Sequence, residues 1–93
     1  MHLTMTRKHA AAASDLRRRL DAMVARLRTR YGATTQWIDD STLSIGAPGV
    51  RGRLEVGPEE LLVSLDLSAM LRPLRGRIEK ELGRELDRVA QEG

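Results

Sequence analysis

The chain has 93 residues and no cysteine, which excludes disulfide bonds and thiolate metal sites and fits a reducing cytoplasm. Its 16 basic and 13 acidic residues leave a net charge of +3, which adds only a modest, salt-screened attraction for nucleic acid or anionic lipid. Neither a secretory signal nor a membrane-spanning segment is expected, because the apolar runs are too short, and the predicted organisation is a single domain over residues 1–93.

The first predicted elements are a strand and a helix. Residues 1–6 alternate between apolar and polar side chains, as a half-buried strand does. From about Ala10 the spacing becomes helical, and it ends at Tyr31 before Gly32, a residue type that often closes a helix. The apolar stripe comprises Leu16, Leu20, Met23, Val24, Leu27 and Tyr31. Most arginines of this segment lie off the stripe, and we interpret them mainly as a solvated helix face.

Four short strands are predicted next, because period-two patterns alternate with turn residues. The patterns occupy residues 35–37, 43–45, 50–56 and 61–67, and the turns occupy residues 39–41, 46–49 and 57–60. One side of the longer strands is apolar and the other is polar. An antiparallel meander tolerates this arrangement, whereas a parallel sheet is normally covered on both faces.

The last predicted element is a charged helix. Its apolar stripe comprises Leu74, Ile78, Leu82, Leu86 and Val89. Pro73 is placed in its first turn, where the missing N–H costs nothing. Gly83 lies in its interior and costs roughly 1 kcal/mol relative to Ala, so this position is predicted to be a contact point.

These elements predict an α+β domain of order β-α-β-β-β-β-α, with an antiparallel sheet and both helices packed on its apolar face. The predicted core comprises Leu43, Ile45, Val50, Leu54, Val56, Leu61, Val63 and Leu65 of the sheet, with Leu20, Val24, Leu27, Ile78, Leu82 and Leu86 of the helices.

Several residues with chemical potential have simpler interpretations. His2 and His9 lack a second ligand at helical spacing, so polar positions near a strand edge are favoured over a metal site. Asp39 and Asp40 are favoured as turn residues over an acid–base pair. The GxxG at residues 46–49 lies between strands rather than between helices, which favours a hairpin turn over an RNA-clamping loop. Trp37 is expected to pack in the core.

Arg51 and Arg53 lie on the same predicted polar face of one strand and are candidate contacts for an anion or nucleic acid. No aromatic pair lies between them to stack on bases. We therefore keep a basic nucleic-acid-binding module only as the alternative function.

The segment Gly49-Val50-x-Gly52-x-Leu54-x-Val56 and the later helix that begins near Leu71 and Leu74 resemble the polyhydroxyalkanoic acid system proteins. The resemblance implies a bacterial cytoplasmic protein encoded near the genes of polyester storage, with no catalytic motif or cofactor to carry across. Our first hypothesis is a non-enzymatic accessory protein that associates with polyester storage granules or their protein coat. Exposed Leu62, Met70 and Leu71 are the candidate contacts for such an apolar surface. A two-fold homodimer through Leu62 is also predicted, since so small a domain gains by burying more surface.

Overall fold

The computed structural model describes residues 1–91, so the last two residues of the predicted domain lie outside the described part of the chain. The strands are β1 (His2–Lys8), β2 (Thr34–Asp39), β3 (Thr42–Ala47), β4 (Val50–Val56) and β5 (Glu60–Leu67). The helices are α1 (Ala13–Tyr31), a 3₁₀ helix (Ala69–Leu74) and α2 (Arg75–Gln91). The strands form one antiparallel sheet in the order β1-β5-β4-β3-β2, which confirms the predicted α+β class.

Gly32 ends α1 as predicted. It adopts a left-handed backbone with φ of 67°, and its N–H donates to the carbonyl of Arg28 at 3.0 Å, which satisfies one of the helix's terminal carbonyls. The helix begins at Ala13 rather than near Ala10. The His9 ring accepts a hydrogen bond from the Ala11 N–H at 3.2 Å and holds the preceding loop in a non-helical path.

The two faces of the sheet differ as the alternation predicts. Leu54 lies opposite Leu43 and Val63 in the neighbouring strands, and all three are buried beneath α1 and α2. Arg51 and Arg53 point to the opposite, outer face, where both are exposed and which no helix within residues 1–91 covers. Within residues 1–91, no helix is long and apolar enough to cross a membrane.

The core differs from the predicted set at its margins. Four predicted members are only half-buried: Val24, Val50, Val56 and Ile78. Further buried residues that the prediction did not include are Leu3, Met5, Leu16, Met23, Ala33, Leu67 and Val89. Strand β1 contributes Leu3 and Met5 because it pairs with the interior strand β5 beneath α2.

The placement of Pro73 in the first turn of the last helix is wrong. Pro73 lies inside the 3₁₀ helix, whose start is fixed where the Leu71 N–H donates to the Ser68 carbonyl at 3.0 Å. The Leu71 side chain packs over Gly49, so closely that a β-carbon there would lie 2.9 Å from Leu71 Cδ1. In the 3₁₀ helix, Leu74 still faces the same space as Ile78 and Leu82 of the predicted stripe, but it is 45% exposed.

Gly83 is a contact point, as predicted, and the side chain of Arg7 makes the contact. The Arg7 guanidinium passes over Gly83, where an added β-carbon would lie 3.0 Å from Arg7 Nη2. Arg7 Nε then donates to Asp87 Oδ1 at 2.6 Å. The missing side chain of Gly83 therefore lets strand β1 form an ion pair with helix α2.

Candidate functional site: a groove between the two helices

Polar side chains link α1 to α2 along their length. Arg19 donates to the Val89 carbonyl at 2.9 Å, and Arg26 Nε donates to Glu85 Oε2 at 2.9 Å. Near the end of α1, the Tyr31 hydroxyl donates to the carboxylate of Glu81. Because the partner number in α2 falls as the number in α1 rises, the two helices are antiparallel.

The helices separate toward the end of α1 and the beginning of α2. Leu16, Leu20 and Leu86 are fully buried, with no exposed surface. Leu27 and Leu82, farther along, each remain 9% exposed because they line a groove of about 650 Å³. This volume lies within the roughly 300–1,000 Å³ typical of small-molecule sites.

The groove has an apolar floor that the sheet supplies. Floor residues are Ile45, Ala47, Val50 and Leu65, from strands β3, β4 and β5. Its apolar walls are formed by Leu27, Ala33, Leu74, Ile78 and Leu82. The groove explains why Val50 and Ile78 are only half-buried: their side chains face this space rather than a packed neighbour.

The rim of the groove is positively charged. Its charged lining residues are Arg26, Arg30, Arg77, Glu81, Arg84, Glu85 and Arg88. These five arginines and two glutamates give a formal charge of +3, which equals the net charge of the whole chain. The other 11 basic and 11 acidic residues cancel, so the excess positive charge of the molecule is concentrated at this groove.

Two of the polar links between the helices also line the groove. Glu85 is only 7% exposed, and its carboxylate is paired with Arg26 at 2.9 Å and Arg88 at 3.9 Å. The hydrogen bond from Tyr31 lowers the pKa of Glu81, and the same bond raises the pKa of Tyr31. At neutral pH the bond therefore joins a neutral phenol to a carboxylate.

The sequence-predicted granule contacts do not form one surface. Met70 and Leu71 belong to the 3₁₀ helix, where Met70 is 88% exposed and Leu71 is half-buried against the core. Leu62 lies on the outer sheet face, half-buried between Thr6 of β1 and Glu55 of β4. At roughly 3.4 Å per residue, it is about 17 Å along β5 from Leu67, where the strand ends before the 3₁₀ helix.

Arg51 and Arg53 share the exposed outer face, but acidic residues accompany both. Asp66 lies directly opposite Arg51 in β5, and Glu55 Oε1 lies 3.7 Å from Arg53 Nη1. Asp66 also accepts a hydrogen bond from His2, and this bond lowers the pKa of its carboxyl. The outer face is thus a mixed-charge surface rather than a basic patch.

The remaining candidate residues have structural partners. His9 Nε2 lies 2.8 Å from the Gly57 carbonyl and ties the end of β1 to the β4–β5 turn. Asp39 accepts a hydrogen bond from the Ser41 N–H at 2.9 Å, which lowers the pKa of its carboxyl and shapes the β2–β3 turn. Trp37 packs half-buried against the core under the Arg17 guanidinium, 4.2 Å from the ring centre. Among residues 1–91, no cluster of three or more His, Cys, Asp or Glu side chains has metal-binding geometry.

Sequence reasoning missed the groove, although its residues left a signal. Arg26 and Arg30 are four residues apart, as are Arg84 and Arg88, so each pair lies on one face of its helix. Each pair flanks the apolar stripe. The interpretation of the α1 arginines as mainly a solvated face is therefore incomplete, since Arg19 and Arg26 reach α2 and Arg26 and Arg30 line the groove.

Comparisons with known proteins concern the whole domain. The sequence model of a family described as "Putative polyhydroxyalkanoic acid system protein" matches residues 3–89. No curated protein matches the sequence significantly. The chain is similar in fold to the NMR structure of PA4090 from Pseudomonas aeruginosa, with a TM-score of 0.62 and 13% identity over 97% of this chain and 84% of that one. At this identity the likeness shows the fold alone.

Proposed function

This chain belongs to the polyhydroxyalkanoic acid system protein family, and we propose that it is a non-enzymatic accessory protein that associates in the cytoplasm with polyester granules or their protein coat. One observation carries the proposal. The 3₁₀ helix presents Met70 and Leu74 to solvent, 88% and 45% exposed. Large apolar side chains exposed together on a small domain are typical of an interaction site.

Packing and a hydrogen bond hold the 3₁₀ helix in place for such a contact. Leu71 anchors it by packing against the core over Gly49, and the Ser68 N–H donates to the Gly49 carbonyl at 2.9 Å. Met70 and Leu74 are therefore held on a fixed turn beside the sheet. An apolar polymer surface would remove both side chains from water, at roughly 25 cal/mol per Å² of apolar area.

Fractionation of polymer-rich cells tests the proposal. A tagged copy should co-sediment with granules, and Met70→Asp should shift it toward the soluble fraction. The matched control is Ile38→Asp, which adds the same charge at a residue of the edge strand β2 that is 58% exposed. A wild-type protein found wholly in the soluble fraction would contradict the proposal.

Purified granules separate polymer from coat. Binding to granules stripped of protein indicates direct contact with polyester, whereas binding only to native granules indicates contact with the coat. In both cases Met70→Asp should weaken binding and Ile38→Asp should not. If both variants bind as the wild type does, the contact surface lies elsewhere.

Leu62 remains a predicted contact with a second copy of the chain. It lies on the uncovered outer face of β5, away from the 3₁₀ helix. Sedimentation at micromolar concentration should show a dimer that Leu62→Asp shifts toward monomer, with helical content retained. A monomeric wild type would remove this prediction without affecting the granule proposal.

The alternative of a basic nucleic-acid-binding module has less support. The outer-face arginines are balanced by Asp66 and Glu55, and two arginines of α1 are engaged with α2. Titration with single-stranded RNA and duplex DNA at low and physiological salt tests it. Strong binding at low salt that weakens steeply with added salt would favour this alternative.

A further inference from the structure

We propose that the groove between α1 and α2 binds one single-chain anionic amphiphile, with its hydrocarbon tail on the apolar floor and its carboxylate or phosphate head held by arginines of the rim. The groove and the Met70 contact share Leu74, but Met70 itself does not line the groove. The proposal requires only the isolated protein, so it stands or falls independently of granule association.

The floor fits a hydrocarbon tail. Ile45, Val50 and Leu65 present only apolar side chains, and Ile78 and Leu82 continue this lining up one wall. Covering these groups with methylene groups removes apolar area from water on both sides of the contact. A wholly polar ligand would gain nothing from this floor.

The rim fits an anionic head. Arg30 and Arg84 line the groove from opposite helices, both are exposed, and within residues 1–91 neither forms an ion pair. A guanidinium group binds carboxylate or phosphate through paired hydrogen bonds, so these two arginines are suited to hold one anion. The concentration of the chain's excess charge at this rim favours an anion over a neutral or cationic head.

The width of the groove favours a thin ligand over a helix from a partner protein. Arg26 bonds Glu85 and Tyr31 bonds Glu81 directly across the gap between α1 and α2. A docked helix is about 10 Å or more in diameter and would have to break both links. A single hydrocarbon chain is much thinner and can lie on the floor with these links intact.

Titration calorimetry with four 12-carbon probes, each below its micelle concentration, tests the head group. Dodecanoate and dodecyl phosphate should bind, and their relative affinities identify which anion the rim prefers. Dodecanol and dodecyltrimethylammonium should bind at least tenfold more weakly. Equal binding of the cationic probe would overturn the role of the arginines.

A series of carboxylates from 8 to 14 carbons tests the tail. Affinity should rise by up to about fourfold per methylene group while the floor accommodates the chain, and then level off. An affinity independent of chain length would overturn the role of the floor.

Matched variants locate the site. Arg30→Ala/Arg84→Ala should weaken dodecanoate binding about tenfold, whereas Arg28→Ala/Arg51→Ala, which removes the same charge from exposed positions outside the groove, should change it less than threefold. Ile78→Glu places a carboxylate in the groove and should abolish binding. Ile38→Glu is its control on β2, and thermal unfolding checks that every variant is folded.

Three results with the variants and with vesicles would overturn the proposal. The first is an equal loss of affinity in the groove and control variants, which would indicate general charge attraction. The second is binding to anionic phospholipid vesicles without binding to monomeric dodecanoate or dodecyl phosphate, which would indicate a membrane-surface contact. Retained binding by folded Ile78→Glu would likewise place the ligand elsewhere.

Discussion

The two ends of the helix layer differ in how completely side chains fill the space between α1, α2 and the sheet. At the closed end, where α1 begins and α2 finishes, Leu16, Leu20 and Leu86 fill the space completely and are 0% exposed. At the open end, Arg26 and Tyr31 cross to α2 through polar bonds, and the apolar residues beneath them line a groove. Long charged side chains keep their heads in water, so they bridge a gap without filling it.

The composition of the open end accounts for this difference. Ala33 follows α1, lines the groove and is too small to fill the space above the sheet. The same antiparallel helix pair is therefore a core at one end and a ligand-sized groove at the other. We expect the closed end to contribute more to stability than the open end.

Truncation should produce the largest contrast between the two ends. Leu20→Ala at the closed end should lower the free energy of unfolding by about 2–5 kcal/mol, through lost burial and a residual cavity. Leu74→Ala at the open end removes a side chain that is 45% exposed and should cost below about 1 kcal/mol. Urea denaturation measures both, and equal losses would show that the open end is packed as tightly as the closed end.

Breaking the ion pair between Arg26 and the buried Glu85 should have the next largest effect on stability. Arg26→Ala leaves the Glu85 carboxylate, 7% exposed, with Arg88 at 3.9 Å as its nearest remaining cation, and should cost about 1.5–3 kcal/mol. Arg28→Ala on the exposed side of α1 should change stability by at most about 0.5 kcal/mol. If Arg26→Ala lowers the free energy of unfolding no more than Arg28→Ala does, the Arg26–Glu85 pair does not help hold the helices together.

Replacing glycine with alanine should have different effects near the beginning of α2 and in its middle. Gly76→Ala meets no atom within 4 Å and should stabilise the fold by about 0.5–1 kcal/mol through helix propensity. Gly83→Ala would bring a β-carbon to 3.0 Å from Arg7 Nη2 and disturb the bond of Arg7 to Asp87, so its gain should be smaller or negative. Equal increases in melting temperature for the two variants would show that Arg7 moves away without lowering stability.

The smallest expected effect is pH-dependent and concerns the Tyr31–Glu81 bond. The bond lowers the pKa of Glu81 from 4.5, so its stabilisation is lost as pH falls through the folded-state pKa of that carboxyl. It also raises the pKa of Tyr31 from 10.0, so the stabilisation is lost as pH rises through the folded-state pKa of the phenol. The melting temperatures of wild type and Tyr31→Phe should differ most near neutral pH and converge at both extremes. A difference independent of pH would contradict this coupling.

Sequence reasoning predicted several contact residues but did not bring together the residues that line the groove. The alternation placed Arg51 and Arg53 together on one face, because residues two positions apart on a strand point to the same side of the sheet. Met70 stays a predicted contact, and the helical pattern that assigns Leu74 to the apolar stripe does not reveal the 3₁₀ turn before α2. The partners of Arg26 and Tyr31 lie in a helix 50 or more positions away, beyond the reach of local periodicity.

The sequence by itself determined the element order, the antiparallel sheet and which sheet face is buried, because these follow from periods of two and 3.6 residues and from glycine and proline at turns. Only the tertiary structure decided that Gly83 admits Arg7 and that the helices close at one end and leave a basic-rimmed groove at the other. Those features depend on the distance between surfaces far apart in the chain. That distance is set by how the side-chain volumes on facing helices and strands fill the space between them.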